Sequence, residues 1–154
     1  MVNFQKEHYS YEDMLAIMRI LRAPGGCPWD AEQTHESIRR NFLEETCEAV
    51  EAIDNHDMPA LCEELGDVLM QVIFHAQMEA EVGGFTMRDV IDGLCRKLVY
   101  RHPHVFSDVK VANSDEVLTN WEALKRQEKA QRSTADAIDA VAKTLPALWR
   151  AEKM

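Results

Sequence analysis

The sequence of 154 residues lacks several features that would place it in a specialised class of protein. Its four cysteines, Cys27, Cys47, Cys62 and Cys95, form no CxxC pair, which argues against a zinc knuckle or a redox dithiol. No apolar run approaches the roughly 20 residues that cross a bilayer, and the first residues lack the apolar stretch of a signal peptide. We therefore expect a cytoplasmic globular protein without a membrane partner, whose cysteines are mostly buried small hydrophobic side chains.

Basic residues are scarce relative to acidic ones. The chain has 17 lysines and arginines against 27 aspartates and glutamates, a formal net charge of −10. Nucleic-acid binding requires a basic face, so this balance argues against a nucleic-acid partner. The same charge would repel a phosphate-bearing ligand unless carboxylates hold divalent cations or basic residues cluster locally. The sequence contains candidates for both arrangements.

Strand-like alternation and internal repeats are absent, whereas apolar residues recur at helical spacing. They predict a first helix from Tyr11 to Arg22, followed by a loop at APGGCPWD, where prolines and glycines break the pattern. Further helices are predicted over residues 35–56, 59–82, 86–100 and 114–132, with a short one from about Ala135. The predicted fold class is all-α, an antiparallel helical bundle.

The third long helix changes character after Asp67, where VLMQVIFHAQM is apolar on nearly every face. A helix that is apolar all round must be buried all round, and a chain this short offers little material for that. Burial against a second copy is the natural solution, so we predict a homodimer or higher homo-oligomer that completes the core. Residues 1–154 are interpreted as one domain, in which the part from about residue 133 is a helical tail or the start of a linker to a second domain.

Two pairs of acidic residues lie at helical spacing on the second and third long helices. Glu45 and Glu48 project from one helical face, and Glu64 and Asp67 repeat that spacing after a short turn. A short turn makes the two helices antiparallel neighbours, and similar distances from the turn bring the pairs level across the seam. Four facing carboxylates are costly unless a cation lies between them, and such oxygen ligands select Mg²⁺ or Mn²⁺ over zinc.

Two other interpretations of these acids are open. Glutamate pairs at this spacing commonly mark a solvated helix face, although Leu43, Val50 and Leu65 flank the acids and bring some of them near a buried seam. A ferritin-like di-iron site would need Glu-x-x-His pairs on bundle helices. The single such match, Glu32 to His35, falls where a loop meets a helix, which makes it a weak competitor.

Basic and aromatic residues form a second pattern further along the chain. Lys97 and Arg101 are neighbours on one helical face and can offer positive charge to phosphate oxygens, Arg101 bidentately. The alternative is a solvated helix end, where the helix dipole favours cations. Trp121 and Lys125 repeat the spacing of four residues. The tryptophan can stack on a base or pack in the core, and the lysine can contact a phosphate or remain a surface charge.

Short motifs recur from about residue 12 to the C-terminus. The acids fall within EExxE, from Glu44 to Glu48, and ExxD, from Glu64 to Asp67. The other motifs are GCPWD at 26–30, EQT at 32–34, RHPHVF at 101–106, WExxK at 121–125 and LPAL at 145–148. Together they resemble the MazG family of all-α nucleoside triphosphate pyrophosphohydrolases.

This resemblance implies hydrolysis of a nucleoside triphosphate between its α and β phosphates, with broad base specificity and release of a monophosphate and pyrophosphate. It carries over as Mg²⁺ ligands the residues Glu45, Glu48, Glu64 and Asp67. It gives Glu44 the role of an acid that supports the ligands or of a base for the attacking water. It implies that Lys97 and Arg101 bind the triphosphate, that Trp121 contacts the nucleotide, and that Lys125 adds a phosphate contact.

Two rival functions stay open at the level of the sequence. Within enzymes, the same acidic pattern serves relatives that hydrolyse dUTP, dCTP or phosphoribosyl-ATP. Outside enzymes, the chain can be a catalytically silent dimeric domain of a longer two-domain protein, which binds nucleotide or Mg²⁺ without turnover. Release of pyrophosphate separates these possibilities.

Overall fold

The structure is a computed structural model that describes residues 4–128 and 133–153, and these residues form helices and no β-strand. The predicted all-α fold class is therefore confirmed. The helices are α1 (Tyr11–Arg22), α2 (Pro28–Glu32), α3 (Arg39–Asp54), α4 (Met58–Glu81), α5 (Met87–Arg101), α6 (Pro103–Phe106), α7 (Ser114–Glu128), α8 (Thr134–Asp139) and α9 (Ala147–Lys153). The chain divides after Ile91, within α5, into two compact units. The prediction that the whole chain is one domain stays a prediction.

The helix boundaries follow local capping chemistry. Helix α1 has its predicted bounds because the Ser10 hydroxyl accepts the Asp13 N–H and the Asp13 carboxylate accepts the Ser10 N–H. The loop predicted after it is partly wrong, since Pro28 occupies the first helical position of α2. Helix α3 begins later than predicted because Ser37 hydrogen-bonds to Thr34 and closes a turn there. The predicted end of the fifth long helix, Arg132, lies outside the described residues.

Helices α3 and α4 form the hairpin that carries the acidic residues. Only Asn55, His56 and Asp57 separate the two helices, so they run antiparallel. His56 has a φ of 55°, a left-handed conformation that is uncommon outside glycine and lets the chain reverse tightly. The Asp57 side chain then accepts the Ala60 N–H at 3.1 Å and caps the start of α4. The hairpin is thereby fixed at its closed end.

The hydrophobic core of the first unit is formed by residues of α1, α4 and the turn before α3. Its buried members are Met18, Ile38, Ile73, Phe74 and Met78. The partly buried Met14, Leu15, Met70 and Met87 pack against them. Truncation of such a side chain, for example Ile73→Ala, costs roughly 2–5 kcal/mol. This core holds the second half of α4, and the first half, which carries Glu64 and Asp67, meets α3.

Arg22 fastens the loop after α1 to the end of α4. Its guanidinium binds the Glu81 carboxylate through Nε and Nη2 at 2.9 Å, and Nη1 donates to the backbone carbonyls of Asp30 and Gln33. Gly26 is required in this loop, because a Cβ there would meet the Ile20 carbonyl oxygen at 2.2 Å. The glycine of the GCPWD motif thus permits close contact with the last turn of α1.

Burial changes along α4. The buried residues Gln71, Ile73, Phe74, Ala76 and Met78 lie on more than one side of its second half, whereas Leu65 is 54% exposed and Leu69 is 43% exposed in its first half. The single chain therefore covers most of the apolar run after Asp67, in which Leu69 is the exposed residue. No helix within the described ranges is both long and apolar enough to cross a membrane.

The burial of the cysteines also differs from the prediction. Cys47, Cys62 and Cys95 are exposed and Cys27 is half-buried, so the prediction of mostly buried thiols is wrong for the single chain. Cys47 lies on the same side of α3 as the exposed Leu43 and Val50, away from the core of this unit. Its exposure follows from the helix face, not from the chemistry of the thiol.

In the second unit, Asn113 caps the start of α7. The helix predicted from residue 114 begins there, because the Asn113 side chain accepts the Glu116 N–H at 3.0 Å and Ser114 is the first helical residue. The Glu116 carboxylate accepts the Ala112 N–H at 2.8 Å. Asparagine and serine compete for the cap because both offer a short acceptor, and here the earlier residue occupies it.

Candidate functional site

Carboxylates from α3 and α4 meet across the seam of the hairpin. One oxygen atom from each of Glu45, Glu48 and Glu64 lies within 4.8 Å of the other two. Asp67 is close enough for its charge to raise the pKa of both Glu45 and Glu64. The structure thus brings together the four acids that the sequence singles out. Their role as metal ligands stays a prediction.

Small residues on α3 allow this approach. Ala49 and Ala52 are the buried residues of α3, and small side chains let a neighbouring helix pack closely. Glu45 and Glu48 flank the same stretch at a spacing of three residues, as Glu64 and Asp67 do on α4. The acids therefore flank an alanine-lined seam, and oxygen atoms of Glu45, Glu48 and Glu64 meet across it.

The cluster carries an electrostatic cost when it is fully ionised. Desolvation, followed by the charges of Asp67, Glu48 and Glu64, raises the pKa of Glu45 above its ordinary range. Desolvation, followed by the charges of Glu48 and Asp67, raises the pKa of Glu64. Like charges at short range disfavour the ionised form, and a cation between them would reverse that effect.

A hard divalent cation fits this donor set. The three convergent groups offer only carboxylate oxygens, which Mg²⁺ and Mn²⁺ prefer and zinc does not. Oxygens on opposite sides of one Mg²⁺ are about 4 Å apart, twice its usual bond length of roughly 2.1 Å. The observed separation of up to 4.8 Å lies within reach of this value through rotation of the flexible glutamate side chains.

Glu44 lies on the adjacent face of α3. Its carboxylate accepts a hydrogen bond from Arg40 Nε at 2.7 Å, one helical turn earlier. Its side chain is 49% exposed, so the ion pair is solvated and screened. Glu44 therefore adjoins Glu45 in sequence, but its carboxylate is not among the converging oxygens.

Gln71 is a residue of this region that the sequence reasoning missed. It lies one helical turn after Asp67, is only 4% exposed, and its Oε1 has no hydrogen-bond partner among the described residues. A buried amide without a partner is costly, so its presence on the acid-bearing side of α4 needs a reason. The signal was available as a lone amide within the apolar run VLMQVIF.

In the second unit, Arg101 and Trp121 contact each other. The Arg101 guanidinium lies over the Trp121 ring, 5.4 Å from its centroid, a cation–π geometry. The His102 ring approaches the same indole edge-on, with the ring centroids 4.7 Å apart. Arg101 is also ion-paired with Glu128, whose Oε2 accepts from Nη2 at 2.6 Å and from Nε at 2.7 Å. Sequence reasoning did not identify Glu128.

The two lysines of the predicted site differ in their partners. Lys97 lines an open groove of about 390 Å³ together with Gly93, Arg96, Tyr100 and Glu128. It makes no ion pair within the described part of the chain, so its charge is available to a ligand. Lys125 is paired with Glu122 at 3.1 Å. Inside this unit, Lys97 is thus the more available cation.

Known proteins share these features. Residues 33–106 match the MazG nucleotide pyrophosphohydrolase domain. The chain is 49% identical over 147 residues to the uncharacterized protein YabN of Bacillus subtilis, covering 96% of this chain and 30% of that protein. It is 48% identical over 142 residues to the nucleoside triphosphate pyrophosphohydrolase of Escherichia coli K12, covering 92% of this chain and 54% of that protein.

A solved structure supports the same grouping. The crystal structure of a mazG-related protein from Thermotoga maritima superposes with a TM-score of 0.62 at 28% sequence identity, covering 75% of this chain and 98% of that one. The chain spans about half the length of the E. coli relative and less than a third of YabN. The acidic motifs on their helical hairpin, the matched domain and the shared fold agree in assigning residues 33–106 to the MazG nucleotide pyrophosphohydrolase domain family.

Proposed function

We propose that the chain hydrolyses nucleoside triphosphates to nucleoside monophosphate and pyrophosphate with Mg²⁺ as its cofactor, Mn²⁺ being a possible substitute. The observation that carries this proposal is the convergence of Glu45, Glu48 and Glu64 oxygen atoms within 4.8 Å. The named activity of the E. coli relative supports it. The proposal includes the cytoplasmic location predicted from the sequence.

In this proposal Glu45, Glu48, Glu64 and Asp67 hold the divalent cation. Desolvation and then the neighbouring carboxylates raise the pKa values of Glu45 and Glu64, and a bound cation would relieve the repulsion, so the site favours a cation before substrate arrives. The cation would supply Lewis acidity and positive charge for phosphate oxygens. Glu44 is the candidate base for the attacking water, and its carboxylate accepts a hydrogen bond from Arg40 Nε.

The second unit supplies candidate phosphate and base contacts. Lys97 has no ion-pair partner among residues 4–128 and 133–153 and offers a point charge, while Arg101 has N–H donors that Glu128 does not use. Positive charge from these residues would stabilise the charge that develops on the departing pyrophosphate. Lys125 is the weaker candidate because Glu122 already engages it.

Broad base specificity follows if stacking on Trp121 dominates recognition. Every base has a π-face, so a stacking platform selects weakly among bases. The Arg101 guanidinium lies over one face of the indole, so a base would have to stack on the opposite face. Selectivity for dUTP or dCTP would instead require polar contacts to the base edge.

The proposal includes a homodimer. Apolar side chains are exposed on both helices of the acidic hairpin, namely Leu43 (64%), Val50 (42%), Leu65 (54%) and Leu69 (43%). Exposed apolar side chains are candidates for an interaction surface, and a second copy of the chain offers the same residues. A catalytically silent domain of a longer protein, the alternative function, would dimerise through the same surface.

The test is pyrophosphate release from a panel of canonical and deoxynucleoside triphosphates, with Mg²⁺ and with chelator. Metal-dependent release of equal amounts of pyrophosphate and monophosphate supports the proposal, and the panel ranks the bases. Release from dUTP or dCTP alone favours a selective enzyme. Nucleotide binding without release from any substrate would favour the silent domain.

A further inference from the structure

Arg101 is almost fully enclosed, and one carboxylate accounts for its orientation. Its side chain is 8% exposed, and Glu128 Oε2 accepts from both Nε and Nη2. Buried N–H donors without an acceptor are strongly disfavoured, so these two hydrogen bonds are a condition for Arg101 to lie where it does. Glu128 itself remains 37% exposed on its outer side.

The ion pair also determines which donors Arg101 can offer. A guanidinium has five N–H donors in a fixed plane, and Glu128 takes the Nε hydrogen and one Nη2 hydrogen. In the part of the chain that the structure describes, no acceptor is seen for Nη1 or for the second hydrogen of Nη2, and these hydrogens form the other edge of the fork. Such an edge matches two oxygens of a phosphate.

The same pair fixes the arginine against the aromatic ring. With its Nε edge held by Glu128, the guanidinium carbon lies 5.4 Å from the Trp121 centroid. His102 holds the indole from another direction, and its own Nδ1 donates to the Leu98 carbonyl at 2.6 Å. Glu128 therefore contacts Arg101, and Arg101 contacts Trp121. The proposed function assigns nucleotide contacts to both Arg101 and Trp121.

We propose that Glu128 is a positioning residue for nucleotide binding, which holds the guanidinium of Arg101 so that its free donor edge and the Trp121 ring are preset for the triphosphate. This inference rests on the proposed function. Glu128 contributes through Arg101 and makes no contact with substrate.

Three variants separate this role from a merely structural one. Glu128→Gln keeps an oxygen that accepts from Nε and Nη2, whereas Glu128→Ala removes the acceptor. Asp92→Asn is the matched control, because Asp92 pairs with Arg96 in an exposed ion pair on the same unit. We expect Glu128→Ala to raise KM for a nucleoside triphosphate about tenfold, with kcat changed less than about twofold. We expect Glu128→Gln to retain most of the wild-type affinity and Asp92→Asn to match wild type.

A second readout does not depend on turnover. Replacement of Trp29 and Trp149 by phenylalanine leaves Trp121 as the sole tryptophan of the three in the chain. In that background, Glu128→Ala should increase the quenching of Trp121 fluorescence by acrylamide, while Glu128→Gln and Asp92→Asn should not. Affinity for an α,β-methylene nucleoside triphosphate, measured by calorimetry, should fall about tenfold in Glu128→Ala alone.

The outcomes distinguish the two proposals. If wild type is active and Glu128→Ala has an unchanged KM, the positioning role is overturned while the proposed function stands. A lower KM in Glu128→Gln would also overturn it, because that result would identify Glu128 as a charge that repels substrate. If wild type neither releases pyrophosphate nor binds the analogue, the proposed function fails and the positioning role fails with it. Unchanged Trp121 quenching in Glu128→Ala would overturn the structural basis of the inference.

Discussion

The Nδ1 atoms of His35 and His75 lie 2.7 Å apart, and the two imidazole rings are nearly parallel, with 4° between their planes. A hydrogen bond between two Nδ1 atoms requires one of them to carry a proton and the other to lack one. His35 Nε2 also lies 2.9 Å from Glu79 Oε1, and the Phe42 ring lies against His75. Two positively charged rings cannot keep this arrangement.

The stability of the first unit should therefore fall in mild acid. Burial, followed by the charge of His35, lowers the pKa of His75. Between that lowered value and the ordinary histidine pKa, the unfolded chain binds more protons than the folded one, so the free energy of unfolding rises with pH there. The free energy of unfolding therefore decreases as pH falls from the ordinary histidine pKa to the lowered pKa of His75. Urea unfolding at a series of pH values from about 5 to 8 measures this slope.

The variant His75→Phe should flatten that slope, because its ring packs without titrating. His8→Asn serves as the control, since the His8 side chain is 90% exposed. An unchanged slope in His75→Phe, or an equal flattening in His8→Asn, would show that other groups cause the acid sensitivity.

Removal of divalent cations should expose the repulsion within the acidic cluster. The pKa of Glu45 is raised by burial and by neighbouring carboxylates, so its ionised form is disfavoured in the folded chain. In chelator, the free energy of unfolding should therefore decline as pH rises above the ordinary glutamate pKa. Mg²⁺ should reverse the decline, because it binds the folded state. Differential scanning calorimetry with and without Mg²⁺ measures both effects.

Glu45→Gln tests the origin of this effect. In chelator at neutral pH the variant should melt at a higher temperature than wild type, because one of the repelling charges is gone. In Mg²⁺ it should gain less than wild type does, because one ligand is weakened. The hypothesis of a metal centre would be wrong if Mg²⁺ stabilised both proteins equally.

Much of the fold follows from local sequence signals. Helix α1 has the predicted bounds because the capping pair Ser10 and Asp13 is encoded within four consecutive residues. The meeting of Glu45 with Glu64 could be predicted because a short turn and equal rise per residue leave one register for the hairpin. These features depend only on residues that are close in sequence or related by a tight turn.

Features that depend on distant partners could not be predicted. Glu128 lies 27 residues from Arg101, and a glutamate near the end of a helix is indistinguishable in sequence from a solvated one. The burial of Gln71 is hidden for a similar reason, since its apolar neighbours surround α4 on every side. The exposure of Cys47 was missed because thiols are usually buried, a tendency that says nothing about which helix face a residue occupies.

Gly66 offers a test of the exposed side of α4. It lies inside the helix, and a Cβ built there would meet nothing within 4 Å. Alanine is favoured over glycine in a helix interior by about 1 kcal/mol, so Gly66→Ala should stabilise the protein by roughly that amount. Chemical denaturation measures the difference. Destabilisation would instead show that another molecule occupies the space beside Gly66 in solution.

The proposed homodimer makes a prediction about Leu69. It is 43% exposed on α4 beside the other apolar residues of the hairpin, so Leu69→Lys should place a charge in the interface and shift the protein to monomer. Leu148→Lys in α9 is the control, because Leu148 is 84% exposed and lies outside that patch. Sedimentation velocity measures the change. A monomeric wild type, or a Leu69→Lys variant that still dimerises, would contradict the proposed interface.

The acidic cluster makes the most direct prediction about catalysis. Glu48→Gln and Asp67→Asn each keep the size of the side chain and remove its charge, so pyrophosphate release should fall by at least about a hundredfold if the carboxylates hold the cation. Helical content measured by circular dichroism should stay unchanged, because Glu48 is exposed and Asp67 is only half-buried. Glu51→Gln is the matched control, an exposed acid one turn after Glu48 on the same helix. Equal activity in Glu48→Gln and Glu51→Gln would mean that the reaction does not use the converging carboxylates, whereas loss in Glu48→Gln alone would tie turnover to the side of α3 that faces α4.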